Sequence, residues 1–250
     1  LWMIPILALA ALAVLYFSPV EEKPPRRTLT APAPAAEPAI RYPVESDNPP
    51  ADSLPPLAES DGAIGDALAA LFGQRLAKFV YLDDMIHRIV ATVDNLPRDH
   101  VSLSLLPVKP ASGLPVTATI GESLALSPKN AERYQPYVRL AEALPTEPLV
   151  ALYTRFYPLF QEQYQNLGYP DKYFNDRVVE VVDHLLATPE VQEPVRLVQP
   201  GVLYQFADPK LENLSAGQKI FLRMGRANAD KLKAKLRDIR RALVSMAPEQ

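Results

Sequence analysis

Residues 1–17, LWMIPILALAALAVLYF, carry no charged side chain, and the first charge in the chain is Glu21. No other feature restricts the possible folds as strongly. A run of about 17–20 apolar residues rising ~1.5 Å each is long enough to cross a ~30 Å hydrocarbon layer as a helix. Trp2 and Tyr16 lie near its two ends, where amphipathic aromatic rings favour the interface. Pro5 falls in the first turn, where a missing N–H costs little, and Pro19 follows the run and helps to stop it. The expectation is a single transmembrane helix over residues 1–20. A cleaved signal peptide is the competing reading. Its small-x-small triplets, Ala8-Leu9-Ala10 and Ala11-Leu12-Ala13, lie inside the apolar run, whereas a cleavage site should follow it.

The prolines come next. There are 27, roughly twice the usual ~5%, and ten of the forty residues from 21 to 60 are proline, mixed with alanine and acidic side chains. Such a stretch buries too little apolar surface to offset its ordering entropy. It predicts a disordered, extended linker over 21–57, at up to ~3.1 Å per residue, reaching on the order of 100 Å. Lys23, Arg26 and Arg27 follow Glu21 and Glu22, so the charge rule for loops leans only weakly toward a cytoplasmic C-terminus.

Residues 58–246 have the periodicity of a folded domain. Leu82, Met85, Ile86, Ile89, Val90 and Val93 repeat at helical spacing, and Ile64, Leu68, Leu71, Phe72 and Leu76 do so just before them. They predict a helical pair or one long broken helix ending near Pro97. Residues 101–120, with proline, glycine and β-branched residues, predict loop with short strands. A helix over about 148–167 places Leu149, Leu152, Tyr153, Phe156, Tyr157, Phe160 and Tyr164 on one face. Pro158 falls on the other, where a kink is expected. Another helix is predicted over 173–187. Val195–Phe206 reads as a hairpin around Pro200-Gly201. Ser215-Ala216-Gly217-Gln218 matches a capping box that opens the next helix. Gly225 closes that helix, Asn228 can cap the last one, and Leu232, Leu236, Ile239 and Leu243 form its stripe. The fold class is mainly α, about six helices with a small β hairpin element.

Several stretches together resemble one bacterial family, domain of unknown function 3014. They are VATVDNLPR (90–98), NAERYQPYV (130–138), LYTRFYPLFQEQYQNLGYP (152–170), YFNDRVVEVVDHLLATPE (173–190) and FADPKLENLSAGQKIFLRMG (206–225). The resemblance implies an envelope protein with a membrane segment, a variable linker and this domain in the periplasm. It implies no activity and no catalytic residues.

The residues themselves offer little chemistry. The absence of cysteine excludes disulfides, thiolate metal sites and cysteine nucleophiles. Only His87, His100 and His184 are available for imidazole chemistry. Asp84 and His87 could share a helix face as metal ligands, as could Glu180 and His184 with Asp183 beside them. The plainer expectation is solvated ion pairs, Asp84 with Arg88 at i,i+4 and Glu180 with Arg177. Ser215–Lys219 lacks the leading glycine of a phosphate loop, so capping explains it better. Tyr169 and Tyr173, at a Gly-Tyr-Pro turn, are the candidate exposed stacking pair.

Charge is lopsided. Residues 215–246 carry nine basic and two acidic side chains, +7, so the rest of the chain carries −10 of the −3 total. Lys233, Arg237 and Arg241 lie among basic residues spread around the last helix. They are candidates for contact with an anionic envelope polymer or lipid, against a merely solvated helix or contact with the acidic body. A domain that is not basic overall argues against nucleic acid. The expected function is a non-enzymatic scaffold or interaction domain on the bacterial inner membrane, single-pass, with its C-terminal domain periplasmic and an envelope protein or polymer as partner. No cofactor is expected. The alternatives are an envelope-acting enzyme or metal-dependent module using Glu180, Asp183 and His184, and a small-molecule sensor, which a deep apolar pocket would favour.

Overall fold

The computed structural model describes residues 40–44 and 54–246. Among these, α1 (Ser60–Phe72), α2 (Met85–Asn95), α3 (Gln135–Ala143), α4 (Thr146–Asn166) and α5 (Phe174–Leu186) are followed by a short α6 (Pro209–Glu212). The chain ends with α7 (Ala216–Arg223) and α8 (Arg226–Val244). Four strands, β1 (Thr117–Ile120), β2 (Ser123–Leu126), β3 (Arg196–Val198) and β4 (Gln205–Phe206), form one antiparallel sheet in the order β1-β2-β3-β4. The expected mainly helical class holds, with more helices and a larger sheet than the periodicity predicted. No helix among the described residues is long and apolar enough to cross a membrane. The span expected over 1–20 and most of the expected linker lie outside the described residues.

Helix α8 organises the bundle. Leu232, Leu236, Ile239 and Leu243 are fully buried, and the helix packs on α3, α4 and α5. Helix α2 lies beneath α4 and α5 and is buried on nearly all sides, from Met85 to Asp94. A helix so enclosed must have its polar ends satisfied internally. At its N-terminus the Asp61 carboxylate of α1 accepts the N–H groups of Asp84 and Met85 at 2.6 and 3.0 Å. At its other end the carbonyls of Leu96 and Arg98 accept the N–H groups of Gly217 and Ala216, the first two residues of α7. The orphan donors of one helix are thus met by the carbonyls at the end of another. The capping box of Ser215 and Gln218 completes the joint.

Several expectations need correction. Helix α2 begins at Met85, because Asp84 has a left-handed backbone (φ 52°). Leu82 therefore falls outside the helix, and it is exposed. Helix α4, in agreement with the expectation of a kink and no break, continues through Pro158. Gly225 (φ 80°) is the N-cap of α8. Asn228, expected there, lies inside the helix and donates to the carbonyls of Ala131 and Met224. The predicted hairpin forms, with Leu197 opposite Phe206, but its loop is longer than a two-residue turn and β2 joins its other side. This sheet covers a satellite core of Val195, Leu197, Phe206 and Leu222.

Residues 40–44, assigned to the linker by composition, lie against the body. Asp176 at the start of α5 accepts the N–H groups of Arg41 and Tyr42, at 3.0 and 2.8 Å. Asn175 donates to the Tyr42 carbonyl, and Val44 N–H donates to the Tyr173 hydroxyl. Four bonds to main-chain groups, with Val44 buried in the core and Tyr42 packed against it, make a strap over α5.

At Gly217 a Cβ would meet Leu185 Cδ2 at 2.5 Å and the Leu96 carbonyl at 3.1 Å. Overpacking at this helix joint should make Gly217→Ala destabilising by about 1–3 kcal/mol, although the same change normally stabilises a helix interior. Urea unfolding of the two proteins measures the difference, and an equal or higher midpoint for the variant contradicts the joint.

Candidate functional site

The polar groups of the fold concentrate where α2 ends. Asp94, 3% exposed, is the last acidic residue of that helix. Its carboxylate receives Arg98 at 2.6 Å, Arg177 of α5 at 3.2 Å and the Tyr169 hydroxyl at 3.1 Å. Arg177 also donates to the Asp94 carbonyl and pairs with Glu180 at 3.0 Å. Its Nε is buried and finds no partner among the described residues. Two turns further along α5 from Arg177, His184 Nε2 lies 2.9 Å from Ser215 Oγ. Segments 90–98, 169–170, 173–190 and 215–218 thus meet at one junction.

Its chemistry is that of a satisfied network. A histidine nitrogen at hydrogen-bond distance from a serine oxygen is the geometry of a base and nucleophile. Here Ser215 is buried and its Oγ already accepts the Gln218 N–H at 3.2 Å. Ser215 Oγ and His184 Nε2 share one hydrogen bond, and the His184 carbonyl in turn accepts from Gln218 Nε2. This arrangement orients a cap. Burial holds the His184 imidazole below the ordinary histidine value, Arg177 adds to the effect and Glu180 opposes it. Around the same cluster the Tyr164 hydroxyl is pushed up to about 12, chiefly by burial, with Arg177 opposing.

The residues singled out by sequence are distributed differently from expectation. Glu180, Asp183 and His184 share α5, but each is engaged by a separate neighbour: Arg177, Arg240 and Ser215. No three His, Asp or Glu side chains are grouped to hold a metal among the described residues. Arg88 pairs with Asp83 at 2.7 Å rather than Asp84. His87 is half-buried with Nδ1 2.9 Å from Gln163 Nε2, where solvation was expected. Tyr169 and Tyr173 do not form an exposed pair. Tyr169 stacks on Tyr164 with ring centroids 4.7 Å apart, and Tyr173 lies 5.3 Å from Tyr157 while holding the strap.

The basic helix α8 turns largely inward. Lys233, 8% exposed, donates to the Thr188 carbonyl at 2.7 Å, and burial lowers its pKa. Lys235 bonds the Leu144 carbonyl and Thr146 Oγ1. Lys231 pairs with Glu142 at 3.0 Å, Arg226 with Glu190 at 2.8 Å and Arg240 with Asp183. Arg241 is exposed beside Asp238, and Arg237 is exposed. Acids of the body thus pair with three of the seven cations of α8, Arg226, Lys231 and Arg240, and Lys233 and Lys235 are taken up by neutral oxygens. Sequence reasoning missed Asp94, although an acid four residues before an arginine at the end of an apolar stripe was a readable signal.

The family described as protein of unknown function, DUF3014, matches residues 85–240, and the chain belongs to it. No curated protein and no solved structure matches the chain.

Removing the Asp94 carboxylate strips the buried ion pair from Arg177, leaving it only the largely exposed Glu180 and the Asp94 carbonyl, and takes the Arg98 and Tyr169 bonds with it. Asp94→Ala should cost about 3–5 kcal/mol, measured by denaturant unfolding, and a loss under 1 kcal/mol would show that the network carries little. The depressed His184 pKa gives a signed pH effect. The unfolded chain takes up the proton first, so this contribution is complete above the ordinary value near 6.5 and is lost as pH falls below it. Between pH 7 and pH 5, wild type should lose more stability than His184→Gln.

Proposed function

We propose that the helical domain is a non-enzymatic interaction or scaffold module of the cell envelope. In this reading segment 1–20 anchors it in the bacterial inner membrane, with the domain on the periplasmic side. One observation carries the interaction half. The sheet register runs from Ile120 across Ser123 toward Val198, and Ile120 and Val198 are both about half exposed (49% and 45%). Val202, in the β3–β4 loop, is 88% exposed, and Leu114, shortly before β1, is 82% exposed. β1 is an edge strand, Thr-Ala-Thr-Ile, without the charge or proline that usually blunts such an edge. Apolar side chains beside an open strand edge are what a protein partner covers.

The remaining groups support the non-enzymatic half. The acids and histidine that might have performed chemistry are each engaged by neighbouring side chains. Placement is supported by the apolar run of residues 1–17 and by the envelope location that the family resemblance implies. A sensor is the second reading, favoured by a cavity of about 360 Å³ lined by Leu126, Val195 and Leu222 among others.

A photo-crosslinking residue at position 120 or 202, activated in intact cells, should give one discrete adduct. Val198→Lys should abolish it while stability stays within about 0.5 kcal/mol. Diffuse labelling, or an adduct indifferent to Val198→Lys, defeats the interaction surface. Turnover of envelope substrates by the protein defeats the non-enzymatic reading. Reporter activity in the cytoplasm from a C-terminal fusion defeats the placement.

A further inference from the structure

The two edges of the sheet are finished differently. At β4 the outward N–H of Phe206 donates to the Glu212 carboxylate of α6 at 2.8 Å, so that edge is closed from within the fold. At β1 the alternation of an antiparallel ladder decides which groups stay open. Ser127 N–H donates to the Val116 carbonyl, while Leu126 N–H turns the other way, to the Val195 carbonyl. The main-chain groups of Ala118 and Ile120 thus face β2, and the N–H and C=O groups of Thr117 and Thr119 point away from the sheet. No described residue bonds them.

Both approaches to this edge are held in place. Arg133 donates to the carbonyls of Ala111 and Gly113, and Asn130 Oδ1 accepts the Val116 N–H at 2.9 Å. A strand fixed in this way, with open main-chain groups, is a template for one more strand. The chain's own residues 21–60 are poorly suited to fill it, since ten of the forty are proline and lack the N–H a ladder needs. The edge itself points to another occupant. Val116-Thr117-Ala118-Thr119-Ile120 is nearly a palindrome about Ala118. An antiparallel copy centred on Ala118 sets Thr117 opposite Thr119 twice, and their outward groups then make four N–H···O bonds. Val116 comes opposite Ile120, and Ala118 opposite itself. Charge agrees with this direction. Residues 110–121 carry no charged side chain, and the first beyond them is Glu122. Antiparallel pairing separates the two Glu122 side chains by eight residues, roughly 27 Å. Parallel pairing would set them side by side, which is unfavourable.

We infer that β1 pairs antiparallel with β1 of a second copy of this chain, centred on Ala118, so that two four-stranded sheets join into one of eight strands. The inference rests on the reading of this edge as an interaction surface and names what takes it. The seam uses main-chain groups, so the side chains of Ile120 and Val198 stay on the face of the joined sheet for a further protein. A seam of a few residues on each side is small, and the dimer it forms is weak and concentration-dependent.

The chain has no cysteine, so a single introduced cysteine reports this contact without background. In the inferred register Ala118 faces its copy at a non-hydrogen-bonded position, where Cα atoms lie about 4.5 Å apart, within the span of a disulfide. The full chain in detergent micelles, oxidised mildly with copper phenanthroline, should link through Ala118→Cys at least tenfold faster than through Ile120→Cys. The two copies of residue 120 lie four residues out of step, roughly 14 Å apart. Mixing Ile120→Cys protein with Val116→Cys protein should restore linking. Adding Thr119→Pro to Ala118→Cys removes an outward N–H and no bond to β2, and should slow linking at least tenfold at an unchanged melting temperature. Should that proline unfold the domain, the register comparison decides alone. Equal linking at 118 and 120, or a mixed pair that does not link, overturns the pairing. Val198→Lys should leave the Ala118→Cys link intact, because Val198 lies two strands in from the seam. An unlinked position 118 together with a discrete adduct to another protein at position 202 overturns the second copy and leaves the interaction reading standing. A link at 118 with only diffuse labelling at 202 supports the pairing and defeats the apolar face, so the two proposals fail separately.

Discussion

The structure depends on burying one face of α8, the most highly charged helix among the described residues. Leu232, Leu236, Ile239 and Leu243 are sealed against α3, α4 and α5. Each such side chain contributes about 1.5–3 kcal/mol when fully removed from water. The flanking lysines would cancel much of that gain if their ammonium groups were buried without acceptors. Lys233 and Lys235 avoid this by reaching backbone carbonyls at the end of α5 and before α4. Those carbonyls are otherwise orphans of helix ends and turns. A single arrangement satisfies both sets of groups, so α8 has one seating in the bundle.

The same economy appears where α2 meets α7. A helix buried on nearly every side cannot leave donors or acceptors open, and two helix termini facing each other supply what each lacks. Gly217 is the residue that lets them close. Asp94 and its arginines sit beside this joint and extend it with charge-assisted bonds, so the most polar part of the domain is a structural hinge-pin between α2, α5 and α7. A cluster with such chemistry invites a catalytic interpretation. Its hydrogen bonds are better explained by the accounting of helix ends.

How much of this was legible follows from the range of the interactions involved. The stripes of α4, α5 and α8 and the cap at Ser215 are local patterns of three to four residues, and they appear where the sequence placed them. The pairing of β2 with β3 joins Leu124 to Leu197, too distant in the chain for any spacing to reveal. Lys233 looked solvated because the carbonyl it reaches, Thr188, leaves no mark in a sequence. Tyr169 and Tyr173 looked like a pair because they are neighbours along the chain, but α4 packing turns one toward Asp94 and the other toward residues 40–44. The cavity beside Leu222 was illegible for the same reason, since its walls come from three separate stretches.

The strap over α5 has a mechanical consequence. Tension arriving along the chain from its N-terminal side meets Arg41 before it can reach α1. Asp176 and Tyr173 then pass the load into α5, and through α5 into α8, the best-buried part of the bundle. The domain is therefore gripped near its middle, and its first helix is shielded from any pull.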